Sequence, residues 1–177
     1  FDGLFGGPGI KNYITDVTPY PAAEVASSVF DSVVQQEIAK QEALVKSTGD
    51  ENPYYIWQEM GKWMTDYCTV VRYNDKLELT LKQLDTWKDR YSRVRLSDTG
   101  MYTNQNLSFA RALLDMIYNA EAILKGALNR NESRGAHYKP DFADRDDANF
   151  LKTTIATYEP ATKSVSISYS PVDTSLV

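Results

Sequence analysis

The chain has 177 residues, enough for one domain with a real core plus a tail and too few for two full domains. A hydrophobic fraction of 42% with 12 tyrosines excludes a disordered segment, and a net charge of -5 argues against a general nucleic-acid binder. The single cysteine, Cys68, and the single histidine, His137, exclude an internal disulfide framework and a structural zinc site of four Cys and His ligands.

The opening, Phe1-Asp2-Gly3-Leu4-Phe5-Gly6-Gly7-Pro8-Gly9, has neither an initiator Met nor a basic leader. It does not fit a signal peptide and reads as part of something longer. No stretch reaches the roughly 18 apolar residues of a membrane span, so composition alone suggests a cytoplasmic protein. Residues 1–20 are rich in Gly and Pro, with one short apolar patch from Ile10 to Val17.

Over 21–47, Val25, Val29 and Val33, flanked by Phe30 and Val34, recur at helical steps, and Ile38 and Ala39 continue them. Pro21 suits the first turn of this helix and Gly49 its end. A second helix spans 53–70, with Asn52 as cap and Ile56, Met60, Trp63, Met64 and Tyr67 as its stripe. Cys68 falls at its end as a buried small side chain. A third helix starts at Asn74-Asp75 and presents Leu77, Leu81, Leu84 and Tyr91, with Trp87 beside them. Residues 94–104 form a loop.

The fourth and longest helix covers 105–129, with Leu107, Ala110, Leu113, Leu114, Ile117, Ala120, Ile123, Leu124 and Ala127 on its buried side. Such stripes must meet, so three or four such helices joined by short loops argue an antiparallel bundle; the expected fold is mainly α, an antiparallel three-helix, spectrin-repeat-like bundle with an irregular, weakly stranded C-terminal tail. A short helix is expected near 149–157. Val165, Ile167 and Tyr169 alternate with serines and suit one strand.

Residues 130–149 are dense in charge. Arg130 and Arg134 would share a face if the long helix continued that far. Gly135 permits a sharp turn, and His137, Lys139 and Arg145 follow closely. Such a cluster neutralises a phosphate, a carboxylate or an electron-rich ring, or else it is a salt-bridged connector whose partners are Glu132, Asp141, Asp144, Asp146 and Asp147. His137 has no nucleophile at a recognised spacing, which favours a structural role over acid–base work. The glycines of the opening match no dinucleotide fingerprint.

The run Asn129 to Phe142, with Arg-x-Glu-Ser-Arg-Gly-Ala-His over 130–137, then Arg145-Asp146-Asp147 and Asn149 to Thr154, closely resembles the tail of the flavoprotein subunit of succinate dehydrogenase and fumarate reductase, of the Gram-positive type. Gly61 to Asp66 with Val70-Val71-Arg72 is similar to that family's second bundle helix. Gly7-Pro8 with Tyr13-Ile14 is similar to the end of the last helix of its flavin-binding domain, and Val172 to Leu176 also matches. The start and the segment after residue 157 are looser matches, and the family's active-site Arg-Leu-Gly-Gly-Asn-Ser segment would precede Phe1.

The resemblance implies three parts: 1–20, the end of a flavin-binding domain and linker; 21–130, a helical bundle domain; 131–177, a charged connector and tail. It implies FAD in the full-length subunit and none held by this chain, which would be inactive alone. No residue here is expected to be catalytic, and no metal is expected. Arg130, Arg134 and His137 would support the cofactor or the flavin domain, with Arg134 anchoring that contact. The implied partners are the flavin-binding domain of the same subunit, an iron–sulfur subunit and, through it, a membrane anchor, at the inner face of the cell membrane. An L-aspartate oxidase-like flavoenzyme, which shares a Ser-Arg-Gly motif, and a non-catalytic helical interaction module are the alternatives.

Overall fold

The computed structural model describes residues 2–16 and 26–175. Pro21, Val25, Val17 and Leu176, all used above, lie outside the described residues. The described chain divides into two units, 1–39 and 40–177.

In the first unit, α1 (Asp2–Asp16) contains Pro8, which withholds one backbone donor from the helix interior. The second helix, α2 (Ser27–Val45), begins here and crosses into the second unit. None of its residues is buried, and Val29, Phe30, Val33, Val34 and Ile38 of the expected stripe are exposed.

In the second unit, α3 (Pro53–Tyr67) starts because the Asn52 side chain accepts from Tyr54 N–H at 2.9 Å and Pro53 occupies the first turn. Next come α4 (Asn74–Ser92) and α5 (Gln105–Asn129), the latter capped by Asn104, whose Oδ1 accepts from Leu107 N–H at 2.9 Å. These three helices meet around Ile56, Leu77, Leu84, Trp87, Leu113, Ile117 and Leu124, all essentially inaccessible to solvent. Each such side chain contributes about 1.5–3 kcal/mol of apolar transfer. Cys68 is buried beside them.

Val94 and Leu96 belong to this core although they sit in the α4–α5 loop. They are placed by a parallel backbone bridge, with Glu51 N–H donating to Arg93 C=O at 3.1 Å and Arg95 N–H to Glu51 C=O at 2.9 Å. Gly49 allows this approach, because a Cβ there would collide with the Arg93 carbonyl. Gly49 thus serves a close backbone contact; α2 has already ended at Val45.

The expected three-helix, spectrin-like bundle is overturned. The described residues form six α-helices, a 3₁₀ turn at Pro140–Phe142, and a closing antiparallel hairpin of β1 (Lys152–Glu159) and β2 (Ser164–Pro171). The sixth helix, α6 (Asp147–Phe150), has four residues, too few to carry a stripe. The helix expected over 149–157 is mostly β1, because its Thr and Ile residues are β-branched and pair with β2 from Lys152↔Pro171 to Glu159↔Ser164. Both faces of β1 mix polar and apolar residues, which removes the period-two signal.

The hairpin packs on α5. Val165 is buried there, and Tyr118 and Tyr158 stand with ring centres 4.7 Å apart. Lys125 Nζ donates to Val165 C=O at 2.7 Å, and Val165 N–H donates to Glu121 Oε1 at 3.2 Å. Glu121 is buried on the face assigned to apolar residues, paired with Lys88 at 2.7 Å and Lys125 at 2.6 Å. Burial pushes its carboxyl up, but the Lys125 and Lys88 bonds outweigh this and hold it below the ordinary carboxylate value. Ile123, expected in the buried stripe, is exposed because the hairpin covers the Tyr118–Glu121–Lys125 side instead.

Candidate functional site

The charged connector begins where α5 stops at Asn129, so Arg130 and Arg134 do not share a helical face. They meet through Glu132. The chain reverses at Arg134–His137, where Arg134 N–H and His137 N–H each bond the other's carbonyl, at 2.8 and 3.1 Å. Gly135 takes φ +57° at this turn, a left-handed conformation that favours glycine. Tyr138 then lies beside the segment leaving α3: its N–H donates to Val70 C=O at 3.1 Å, and Arg72 N–H donates to its carbonyl at 2.8 Å.

Glu132 has no solvent exposure and gathers four donor groups. Arg134 donates from Nε to Oε1 at 2.9 Å and from Nη2 to Oε2 at 3.0 Å; Arg130 Nη1 donates to Oε1 at 2.5 Å, and Asp146 N–H to Oε2 at 2.9 Å. Burial alone would raise this carboxyl, but the bonds from Arg134, the Asp146 amide and Arg130 bring it down to about 2. Arg134 also reaches Asp147 Oδ1 at 2.6 Å, and Arg145 clasps the same carboxylate at 2.7 and 2.6 Å. The Arg145 and Arg134 bonds hold Asp147 well below the usual carboxylate range.

Arg130 carries the network to the hairpin. Its guanidinium donates to Phe150 C=O at 2.9 Å, Lys152 C=O at 2.7 Å and Thr154 Oγ1 at 3.0 Å. Its own carbonyl lies 2.9 Å from His137 Nε2, while Arg72 Nη1 lies 2.7 Å from His137 Nδ1. A guanidinium only donates, so Nδ1 must accept and Nε2–H must donate to Arg130 C=O. The partners therefore assign the neutral ring in one tautomer. Burial first, then the Arg72, Lys139 and Arg130 charges, outweigh the carbonyl bond and lower the ring's pKa.

Lys139 is buried, with Nζ donating to Leu128 C=O and Asn131 Oδ1, both at 3.0 Å. Burial, with Arg72 adding to it, lowers its amine to about 8. Ser133 Oγ donates to Phe142 C=O at 2.8 Å and accepts from Lys139 N–H at 3.0 Å, so it is engaged within the connector and not paired with His137.

The structure thus brings Arg130, Arg134 and His137 into one network with Glu132. Of the acidic partners the sequence offered, Glu132 and Asp147 take the arginines. Arg72 and the burial of Lys139 had no local signal, since tertiary packing brings the α3–α4 segment to the connector. The arrangement is a clamp: it fixes backbone against backbone and contains no nucleophile–base pair. Among the described residues no group of His, Cys, Asp and Glu could hold a metal ion, and no helix is long and apolar enough to cross a membrane. The glycines Gly3, Gly6, Gly7 and Gly9 lie inside α1 and not in a strand-to-helix turn of the dinucleotide-binding kind. A cleft of about 710 Å³, lined by Lys46, Asp50, Tyr54, Arg95, Leu96 and Asn106 among others, lies apart from the connector residues.

Known proteins share this chain's pattern. The family described as fumarate reductase flavoprotein C-term matches residues 57–177. The succinate dehydrogenase flavoprotein subunit of Bacillus subtilis is 38% identical over 177 residues, covering 100% of this chain and 30% of that protein. The fumarate reductase flavoprotein subunit of Haemophilus influenzae is 34% identical over 151 residues, covering 85% of this chain and 25% of that protein. A chain of Escherichia coli quinol fumarate reductase superposes with a TM-score of 0.79 at 30% identity, over 98% of this chain and 29% of that one. The chain spans less than a third of the length of these relatives. It belongs to the succinate dehydrogenase/fumarate reductase flavoprotein family, as the C-terminal region of such a subunit.

Proposed function

We propose that this chain is the supporting C-terminal part of a flavin-dependent subunit that, in its intact complex, interconverts succinate plus quinone and fumarate plus quinol. It carries no chemical step alone. FAD is held by the flavin-binding domain of the same subunit, whose end is residues 1–20; the helical domain follows over 21–130, and the connector and tail over 131–177. An iron–sulfur subunit docks on the assembled flavoprotein and links it to a membrane anchor, which makes the subunit peripheral on the inner face of the cell membrane. The observation that carries this reading is the likeness to a succinate dehydrogenase flavoprotein subunit along the whole of this chain.

Arg130, Arg134 and His137 brace the connector against the flavin domain. Glu132 and Asp147 fix the fork of Arg134 from two sides. Charge-assisted bonds to such a fork are directional, which suits a docking contact. The test uses the full-length protein, with Arg134→Ala compared with the parent for flavin occupancy and succinate oxidation. Occupancy falls if Arg134 braces the flavin domain. Occupancy and rate within about twofold of the parent would remove that role. A parent protein that oxidises no succinate and reduces no fumarate would overturn the assigned reaction itself.

A further inference from the structure

The His137 ring joins two chain segments that are far apart in sequence. On one side is Arg72, in the segment between α3 and α4; on the other is the Arg130 carbonyl at the end of α5. Directly beside the ring, the backbone of Tyr138 is bonded to Val70 and Arg72. The ring is therefore placed where the connector is stitched to the rest of the second unit.

Only one protonation state fits this place. Arg72 Nη1 points a hydrogen at Nδ1 from 2.7 Å. Adding a proton to Nδ1 sets two donors and two positive charges against each other at that distance. The charged groups that bear on the ring are Arg72 from the α3–α4 segment, Arg130 from the end of α5, and Lys139 from the connector itself, and all three are cationic. Nearby Glu132 is taken up by Arg130, Arg134 and the Asp146 amide, so it is not turned toward the imidazole. Relief comes most easily by withdrawal of Arg72, whose side chain is only partly buried.

We propose that His137 is a proton-operated latch. When neutral it holds Arg72 and closes the backbone ladder at Val70–Arg72 and Tyr138. When a solvent proton charges the ring, Arg72 is expelled and the ladder opens, freeing the connector from the α3–α4 segment while the α3–α5 core stays folded. Exposed Val70, Val71 and Tyr138 lie along this seam, so its opening changes an apolar surface of the protein.

The test is hydrogen exchange by mass spectrometry on the intact protein across about pH 5 to 8, the range in which imidazole charges, with rates corrected for intrinsic exchange. Exchange of the His137 Cε1–H reports its charge in the same samples. The expected result is that amide protection at Arg72 and Tyr138 drops about tenfold or more as His137 charges, while Leu113 and Ile117 keep theirs. In His137→Gln, which cannot charge, the two amides should show no pH-dependent loss. In Arg72→Met, which removes the opposing donor, the His137 titration should move upward. Protection at Arg72 and Tyr138 that ignores His137 titration, or that is lost equally in His137→Gln, overturns the latch. An unmoved His137 titration in Arg72→Met also overturns it, and that variant decides the matter if His137→Gln does not fold.

Discussion

The α3–α5 core and the 130–147 connector are adjacent, yet they are held by different physics. The core is apolar and nearly dry, built on Trp87, Leu84, Leu113 and Leu124. Its stabilisation is spread over many contacts, each small and non-directional. The connector has almost no aliphatic residues and is held by charge-assisted bonds converging on one buried carboxylate, Glu132. The first kind of region tolerates drift in angle and loses stability by degrees. The second depends on a few geometries, and one missing group leaves charges facing each other in a poorly solvated place.

The largest expected effect comes from breaking the core. Trp87 is fully buried, and its Nε1–H donates to Glu59 at 3.2 Å. Trp87→Ala should cost about 5 kcal/mol, near the upper end for removing a buried ring, read as a shift of the urea midpoint of the whole domain. A loss below about 1 kcal/mol would mean that the helices do not meet as described.

Glu132→Ala should cost about 3 kcal/mol, at the lower end for breaking a buried ion pair because Arg130 and Arg134 keep other acceptors. The two variants should differ in kind. Limited proteolysis of Glu132→Ala should cut first within 130–147, whereas Trp87→Ala should be cut throughout. Equal cutting patterns would erase the distinction between the two regions.

A smaller effect concerns pH. The folded-state amine of Lys139 is lowered to about 8 from an ordinary value of 10.5. Between those values the unfolded chain binds more protons than the folded one, so this group makes stability rise with pH, by about 1 kcal/mol per pH unit at most. Stability curves from pH 8 to 10 should show that rise in the parent and not in Lys139→Met. Tyr91 and Tyr118, raised to about 12 mainly by burial, act oppositely, but only as pH rises above their ordinary value of 10. On the acid side Glu132 contributes stability that is complete above its ordinary value and lost as pH falls through about 2. His137, whose pKa is lowered, contributes stability that is lost earlier, on the acid side of 6.5.

The smallest effect is at the surface. Lys62 and Asp66 form an exposed pair one helical turn apart at 2.7 Å. Lys62→Ala should leave the unfolding midpoint unchanged within error, since water already solvates both charges. A clear drop would show that surface pairs contribute comparably with the connector's buried one.

The sequence made the core legible because its period of 3.6 is a local signal: Ile56, Leu77, Leu84, Leu113, Ile117 and Leu124 were all named from spacing alone. It also singled out Arg130, Arg134 and His137, because charge density after an apolar helix stands out. What it could not show was partnership. Arg72 and His137 are 65 positions apart, and nothing local marks either as the other's acceptor or donor. The glycines and Pro8 of α1 oppose by average propensity the helix they form, so composition masked it and only the family resemblance pointed to a helix there. Nothing in the sequence marks Glu121 for burial, and only the hairpin lying over it explains it.

That last arrangement bears on how the chain is made. Glu121 receives its third partner from the backbone of Val165, 44 positions later. During synthesis α5 emerges first, with a carboxylate on a face still wet and two lysines able to meet it from the sides. The face dries only when the hairpin has left the ribosome and closed over it. Completion of this part of the fold is thereby tied to arrival of the tail. A chain released before β2 would retain the helices and yet leave Glu121 open to water, a difference that a protease or a chaperone can detect.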